Sequence, residues 1–398
     1  MMLLQMRGCL KWSEGTVADR LTGPSVLALV GEQRIGPDLW RVFQPMKALE
    51  DAGYPCGWAY KKYPTDGTPG GNVAAFFNDL TFGLIHGTYD GYLLPRMGWP
   101  PDYRRVAEAW FADCRAKGKF VVYDADDDVF TSQETHRRVE LGWMEGKSYE
   151  QLEAERFERI WAMQQCDGVT VSTQRLATIV RSFTNRPVVV VPNAIDLVWF
   201  RGVVRQTKRQ IPGLTIGWAG GRRHDRDVEQ MAEAWGRIAA RYPEVRFVVQ
   251  GWVPPVILEH VGRDRLSILP WMNLERYPCG LAQIDIACCF AADTPFNRAK
   301  SPIKCFEAAA AGSAVVASPT LYGAVVDHGG SGFIAEGAAE IEDALAQLIE
   351  SNATRRMMAK RLLKTVEKRH SLAGNLWRWP AAWSQIAESA RVGRLVAV

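Results

Sequence analysis

Short apolar runs rich in β-branched residues alternate with amphipathic helical patterns twice over in this chain of 398 residues, and that alternation limits the fold more than any other feature. SVLALVG (25–31), FGLIH (82–86), KFVVYD (119–124), DGVTVS (167–172) and PVVVVP (187–192) form the first series. After a passage without clear period at 197–213, the pattern restarts with LTIGWAG, VRFVVQG, LSILP, IDIACCF and SAVVAS. Strands apolar on both faces and joined through helices belong to parallel sheets covered on both sides. The expectation is an α/β chain of two Rossmann-like, doubly wound parallel-sheet domains, residues 1–200 and 201–375. A terminal segment, 376–398, follows; its Trp377, Trp379 and Trp383 are expected to pack a helix back across the domains. No alignable internal repeat accompanies the restart, so the repetition is architectural.

With 47% of its residues apolar, the chain has enough hydrophobic material for two cores. Its net charge of +4 is unevenly spread: residues 1–200 carry 22 Lys and Arg against 25 Asp and Glu, which leaves 26 against 19 in the remainder. A basic second half suits a phosphate-bearing ligand, although scattered surface lysines give the same total. The eight cysteines include no CxxC pair and no Cys/His cluster at zinc spacing, and read as reduced core residues. The opening MMLLQMRGCLKW lacks the apolar stretch of a secretion signal, and no later run is long enough to span a bilayer, so a soluble, cytoplasmic chain is expected, with the oligomeric state left open.

In each series the first strand runs into a glycine-bearing turn, Gly31 with Gly36 and Gly217 with Gly220–Gly221. Open α/β sheets bind ligands there, at the carboxyl ends of their strands. Neither turn completes G-x-G-x-x-G. The segment FNRAKSPIKCFEAAAAGSAVVASP (296–319) carries more information. Ser301 followed by Pro302 predicts a helix start, the alanines its continuation and Gly312 its end. Free amides at that start, with Lys300 and Lys304 beside them, suit a phosphate or diphosphate. Glu307, three residues beyond Lys304 on the same flank, is placed to accept hydrogen bonds from a ribose diol. The plainer reading is a capped amphipathic helix with surface lysines.

This segment resembles the donor-binding segment of family-4-type glycosyltransferases (glycosyl transferases group 1), which have the GT-B fold and carry an E-x7-E motif there. VVVVPNAIDLVWF is similar to the family's strand before the interdomain linker. LTIGWAGGRRHDRDVEQMAEAWGRIAARYPEVRFVVQG resembles its first donor-domain β-α-β unit, and HGGSGFIAE (328–336) a later glycine turn. The likeness covers most of 168–370 and implies two domains across a cleft and a retaining, metal-independent transfer from a UDP- or GDP-sugar. Gly220, Gly221, Arg222, Arg223, Asn297, Lys300, Ser301, Lys304 and Glu307 then form the donor side. One departure stands out: with Glu307 as the second acid of the motif, the first falls on Ala299.

The acids of VVYDADDDVF admit several readings. Asp124-x-Asp126 has the form of a metal-binding D-x-D, yet that motif belongs to enzymes with one nucleotide-binding sheet. A phosphatase nucleophile motif wants Thr or Val where Asp128 stands. The remaining reading is a strand end resembling the yD.DD segment of some GT-B enzymes, with Gly36, Arg41, Asp124 and Asp126 on the acceptor side and His86, Asp127 and Asp128 as catalytic candidates. Capping of the next segment by Asp126 to Asp128 competes with it. Acceptors to consider are a glycan, a lipid-linked or small hydroxyl compound, or modified DNA, since similar proteins occur in bacteriophages and some of those glycosylate hydroxymethylated bases. The acceptor half sums to a net negative charge, which leaves only local basic clusters for DNA. Peripheral membrane association and the cytoplasm of a phage-infected host are compatible locations. A non-catalytic nucleotide-sugar-binding module is the alternative that Ala299 motivates.

Overall fold

The computed structural model describes residues 21–30, 38–60, 88–96, 98, 104–142, 144, 146–224, 226–273 and 275–396, without the side chains of Tyr60, Arg223, Leu395 and Val396. The chain divides into two compact units, 1–193 with 375–398, and 194–374. Each has its own buried apolar cluster.

The first unit is built on a six-stranded sheet: β1 (Val26–Val30), β2 (Cys56–Tyr60), β3 (Gly91–Pro95), β4 (Phe120–Ala125), β5 (Gly168–Val171) and β6 (Val188–Val190), in the order β2-β1-β3-β4-β5-β6. Every pairing is parallel. Strands β1, β4 and β5 are buried along their whole length, as parallel strands between helical layers must be. Strands β2 and β3 were absent from the expected series. The run 82–86, which was in it, lies outside the described residues. The final helix, Arg378–Val396, belongs to this unit and packs on β4 and β5, with Trp379, Trp383 and Ile386 buried.

The second unit repeats the architecture with β7 (Thr215–Gly220), β8 (Arg246–Gly251), β9 (Leu266–Leu269), β10 (Ile286–Cys289), β11 (Ala314–Ala317) and β12 (Phe333–Ile334), ordered β12-β11-β10-β7-β8-β9. All these pairings are parallel too. Read from β9, this is the doubly wound order 3-2-1-4-5-6, whose strand order reverses between β7 and β10. In the first unit the reversal falls between β1 and β3. Crevices at the carboxyl ends of these strand pairs are where such sheets take ligands. Among the described residues no helix is long and apolar enough to cross a membrane.

Candidate functional site

At the reversal point of the second sheet, β7 ends on Gly220 and β10 leads into a short helix, Pro295–Arg298, and then the helix Ile303–Ala311. The longer helix starts one residue later than expected. Pro302, not the first helical residue, occupies the N-cap position, and Ser301 lies before it. Its far end is as expected: Gly312 takes φ +87°, and the amides of Gly312 and Ser313 return to the carbonyls of Ala309 and Ala308.

Lys304 folds toward the end of β7. Its ammonium donates to the carbonyl of Ala219 and sits 5.1 Å from the centre of the Trp218 ring. This approach explains Gly220, where a Cβ would stand 2.4 Å from the Trp218 ring and 3.0 Å from Lys304 Nζ. Burial pulls the ammonium below the ordinary lysine value, and the charge of Glu307 pulls it back. Glu307 is itself buried; the hydroxyl of Tyr277 donates to its Oε2 at 2.9 Å. Burial drives its carboxyl up to about 7 against Lys304 and that hydrogen bond. Lys300 is half-buried, 4.7 Å from the centre of the Phe296 ring. Two lysines, a buried acid and a tyrosine thus converge at the crevice, a cationic arrangement with a hydrogen-bonding carboxyl behind it.

The turn after β7 contributes residues that the sequence reading passed over. His224 Nδ1 lies 2.6 Å from Asp227 Oδ2, and the other Asp227 oxygen accepts from the Ala292 amide at 2.8 Å and Asn297 Nδ2 at 2.7 Å. Asn297, expected on the donor side, is 3% exposed and bridges Asp227 to the carbonyl of Ala292. Burial pulls the His224 ring down to about 3, with Lys304 and Lys300 adding to the fall and Asp227 opposing it. For Asp227, burial pushes upward, but the His224 hydrogen bond, the charge of Lys300 and the Ala292 amide hold the carboxyl at about 2. Local spacing gave a hint: His and Asp three residues apart at a strand end can face one another. Trp271 was also missed. It is 70% exposed, and a Cβ on Gly251 would stand 3.1 Å from its ring. Arg222 is exposed over the Trp252 ring at 5.0 Å, and the side chain of Arg223 lies outside the described residues. Ala299 is fully buried, so a carboxylate at that position would be an ion without water.

In the first unit the acids divide into distinct roles. Asp124 takes a bidentate pair from Arg41, Nη2 at 2.6 Å and Nε at 3.0 Å, and a third hydrogen bond from Thr170 at 2.6 Å. Arg41 also donates to the Val191 carbonyl and to Asn193 Oδ1, and stacks 4.6 Å from the Trp379 ring centre. At 2% and 1% exposure the pair is buried, and its contacts tie the end of β4 to the terminal helix. Asp128 accepts from the amides of Phe130 and Thr131 and the Thr131 hydroxyl, the contacts of a turn cap. Asp126 and Asp127 lie 3.5 Å and 3.7 Å from Arg96 Nη1. Arg96 follows β3 in a left-handed conformation, φ +46°, uncommon for a residue with a Cβ. Burial raises Asp126 to about 7, Arg96 opposing and Asp127 adding to the rise, and its buried Oδ1 accepts no hydrogen bond among the described residues. His86 and Gly36 lie outside the described residues. Among the described residues no group of three or more His, Cys, Asp or Glu is placed to hold a metal ion.

Comparison with known proteins agrees with this architecture. No curated protein matches the chain. Solved structures similar to it include Alr3699/HepE from Anabaena in complex with UDP-glucose, at TM-score 0.57 and 13% identity, covering 93% of this chain and 100% of that one. A glycosyltransferase from Rickettsia africae ESF-5 gives TM-score 0.60 at 10% identity over 92% and 99%. Sucrose-phosphate synthase from Thermosynechococcus elongatus gives 0.56 at 14% over 94% and 98%. The protein-family profile described as Glycosyl transferases group 1 matches residues 213–351. That stretch, with the β7 turn, both site lysines and Glu307 inside it, is a glycosyl transferases group 1 domain, and the two-sheet chain that carries it has the GT-B fold.

Proposed function

We propose that this chain is a glycosyltransferase that moves a sugar from a nucleoside diphosphate sugar, with UDP-sugars the first class to test, to an acceptor hydroxyl. The observation that carries the reading is the convergence of Lys300, Lys304 and Glu307 at the strand-order reversal of the second sheet. Charge develops on the departing diphosphate, so fixed cations aimed at it do most where they are partly desolvated. Lys300 and Lys304 supply that charge, and the reaction as proposed needs no metal. Glu307, with Tyr277 behind it, accepts from the ribose diol. Trp271 offers a flat, exposed face beside the glycine turn for the nucleobase. Retention of configuration is the expectation carried by the resemblance, as is binding of the donor by the second unit and of the acceptor by the first.

In the first unit Asp126, an acceptor-side candidate, and Asp127, a catalytic one, are read together with Arg96 as the acceptor side, beyond the carboxyl ends of β3 and β4. A carboxyl held near neutrality suits a group that orients a hydroxyl and takes up its proton. His86, a catalytic candidate, is read in this proposal as helping to hold the sugar or the positive charge that develops at its ring.

A thermal-shift panel of UDP-, GDP-, ADP- and TDP-sugars tests the donor assignment. A donor at a hundred times its dissociation constant stabilises by about 2.7 kcal/mol. No shift from any of the four classes would refute the reading. A shift without transfer or hydrolysis of a labelled donor would instead identify a binding module, the outcome that Ala299 allows. Salt-sensitive binding to hydroxymethylated duplex DNA would mark DNA as the acceptor.

A further inference from the structure

His224 takes no part in the reaction outlined above, yet it stands among the groups that do. The second oxygen of its partner, Asp227 Oδ1, is filled by the Ala292 amide and by Asn297 Nδ2. A carboxylate so engaged is an ionised acceptor, and the proton in the 2.6 Å contact therefore belongs to His224 Nδ1. The neutral ring then presents a bare lone pair at Nε2. Among the described residues no hydrogen bond reaches that nitrogen. The ring stands edge-on to Trp218 at 6.2 Å, against the same indole that carries the Lys304 ammonium. The charges that act on it are Asp227 from its own turn and Lys304 and Lys300 from the segment that follows β10.

Building on the nucleoside-diphosphate reading, we propose that His224 and Asp227 form a proton-loading phosphate contact: when a diphosphate settles on Lys300 and Lys304, His224 takes one proton from solvent at Nε2 and donates that N–H to a phosphate oxygen. No covalent bond forms or breaks, and the proton leaves again with the diphosphate. In the empty site the two lysines and burial keep the ring neutral. A bound anion reverses the balance. One phosphate charge about 4 Å away raises the proton affinity of a partly buried group roughly a thousandfold, so the two charges of a diphosphate diester are enough to protonate the ring near neutral pH. A deprotonated ring in the same place would turn a lone pair toward the phosphate oxygens.

Proton uptake on binding makes affinity rise as pH falls, at most tenfold per pH unit for one proton. Titration calorimetry with UDP, at pH 7.5 in two buffers of different ionisation enthalpy, counts the protons directly, and inorganic pyrophosphate, which carries a proton of its own at this pH, tests only whether the seat takes a diphosphate. At this pH UDP is almost fully ionised and contributes little of its own. The full chain is expected to take up close to one proton per UDP, and His224→Gln close to none. Between pH 6.5 and 7.5 the Kd of the wild-type protein should weaken several-fold more than that of the variant. Equal proton counts in the two proteins, or no uptake by the wild-type protein alone, would overturn the proposal while leaving the donor reading intact. Failure of both ligands to bind the wild-type protein would overturn the donor reading and this inference together.

Discussion

Lys304 is a half-buried ammonium between a carbonyl, an indole face and a carboxyl, an environment that favours ligand binding over stability. Desolvating a cation costs several kcal/mol, which its neighbours only partly return. Lys304→Met keeps the side-chain length and removes the charge. The expected outcome is a fall of roughly 10²–10³ in kcat with the best donor, alongside a midpoint of chemical denaturation that is unchanged or higher. A variant that loses stability in step with activity would argue that the lysine serves the fold. Asp126 gives a second test, by pH. Its carboxyl keeps a proton up to about 7 in the native protein, whereas in the unfolded chain it loses it near the ordinary aspartate value of 3.8. Between those values the native state binds more protons, so this group makes stability fall as pH rises from about 4 to about 7. Asp126→Asn abolishes the effect, and its stability relative to the wild-type protein should grow by roughly 2–4 kcal/mol between pH 4 and pH 8. A difference independent of pH would show the acid ionised throughout. Lys300, Lys304 and Glu307 were legible in the sequence because they share one local segment. Arg41 and Asp124, 83 residues apart, were singled out for their types but not as partners, because only the folded strand order brings them together. His224 and Asp227 escaped notice because they sit in irregular 3₁₀ turns that have no periodicity to read.

Among the elements, the helix Ile303–Ala311 matters most, and its two ends were predictable to different degrees. The far end is fixed by one residue: Gly312 adopts φ +87°, where a side chain meets its own backbone, and a Cβ there has no other atom within 4 Å. Gly312→Ala should therefore cost about 1–2 kcal/mol from backbone strain alone, and Gly312→Asn less, since asparagine tolerates this region. Urea denaturation of the three proteins checks the order, and an alanine variant as stable as the wild-type protein would refute it. The near end slipped by one residue because Ser301 and Pro302 are each suited to the start of a helix, and composition does not say which takes the cap. Most strands were legible because a parallel strand buried on both faces is a continuous apolar run. Strand β3, GYLLP, was not: a glycine and a proline bracket three large residues, a pattern equally at home in a loop. The glycine is needed there, because a Cβ on Gly91 would stand 2.4 Å from the Phe120 ring of the adjacent strand.

At the scale of the molecule the two units differ in how the chain closes them. The second is continuous and sealed at its base: the Ile195 amide donates to the His370 carbonyl, and the Leu372 amide returns to Ile195. The first is discontinuous, since residues 375–398 come back to it after the second unit is complete. That last helix buries Trp379, Trp383 and Ile386, and the Trp379 ring lies against Arg41, whose guanidinium holds Asp124. Without the helix, apolar side chains on β4 and β5 lose their cover and a buried ion pair comes closer to water. Residues 194–374 expressed alone should unfold in one cooperative transition, and a nucleotide that binds the full chain should raise its midpoint. Residues 1–193 alone should give no cooperative transition, and joining 375–398 to them through a flexible linker should restore one. Calorimetry of the three polypeptides distinguishes the cases. A stable 1–193 fragment would mean that the terminal helix merely covers a finished domain, and a 194–374 fragment that folds without binding nucleotide would move the donor site out of the second unit.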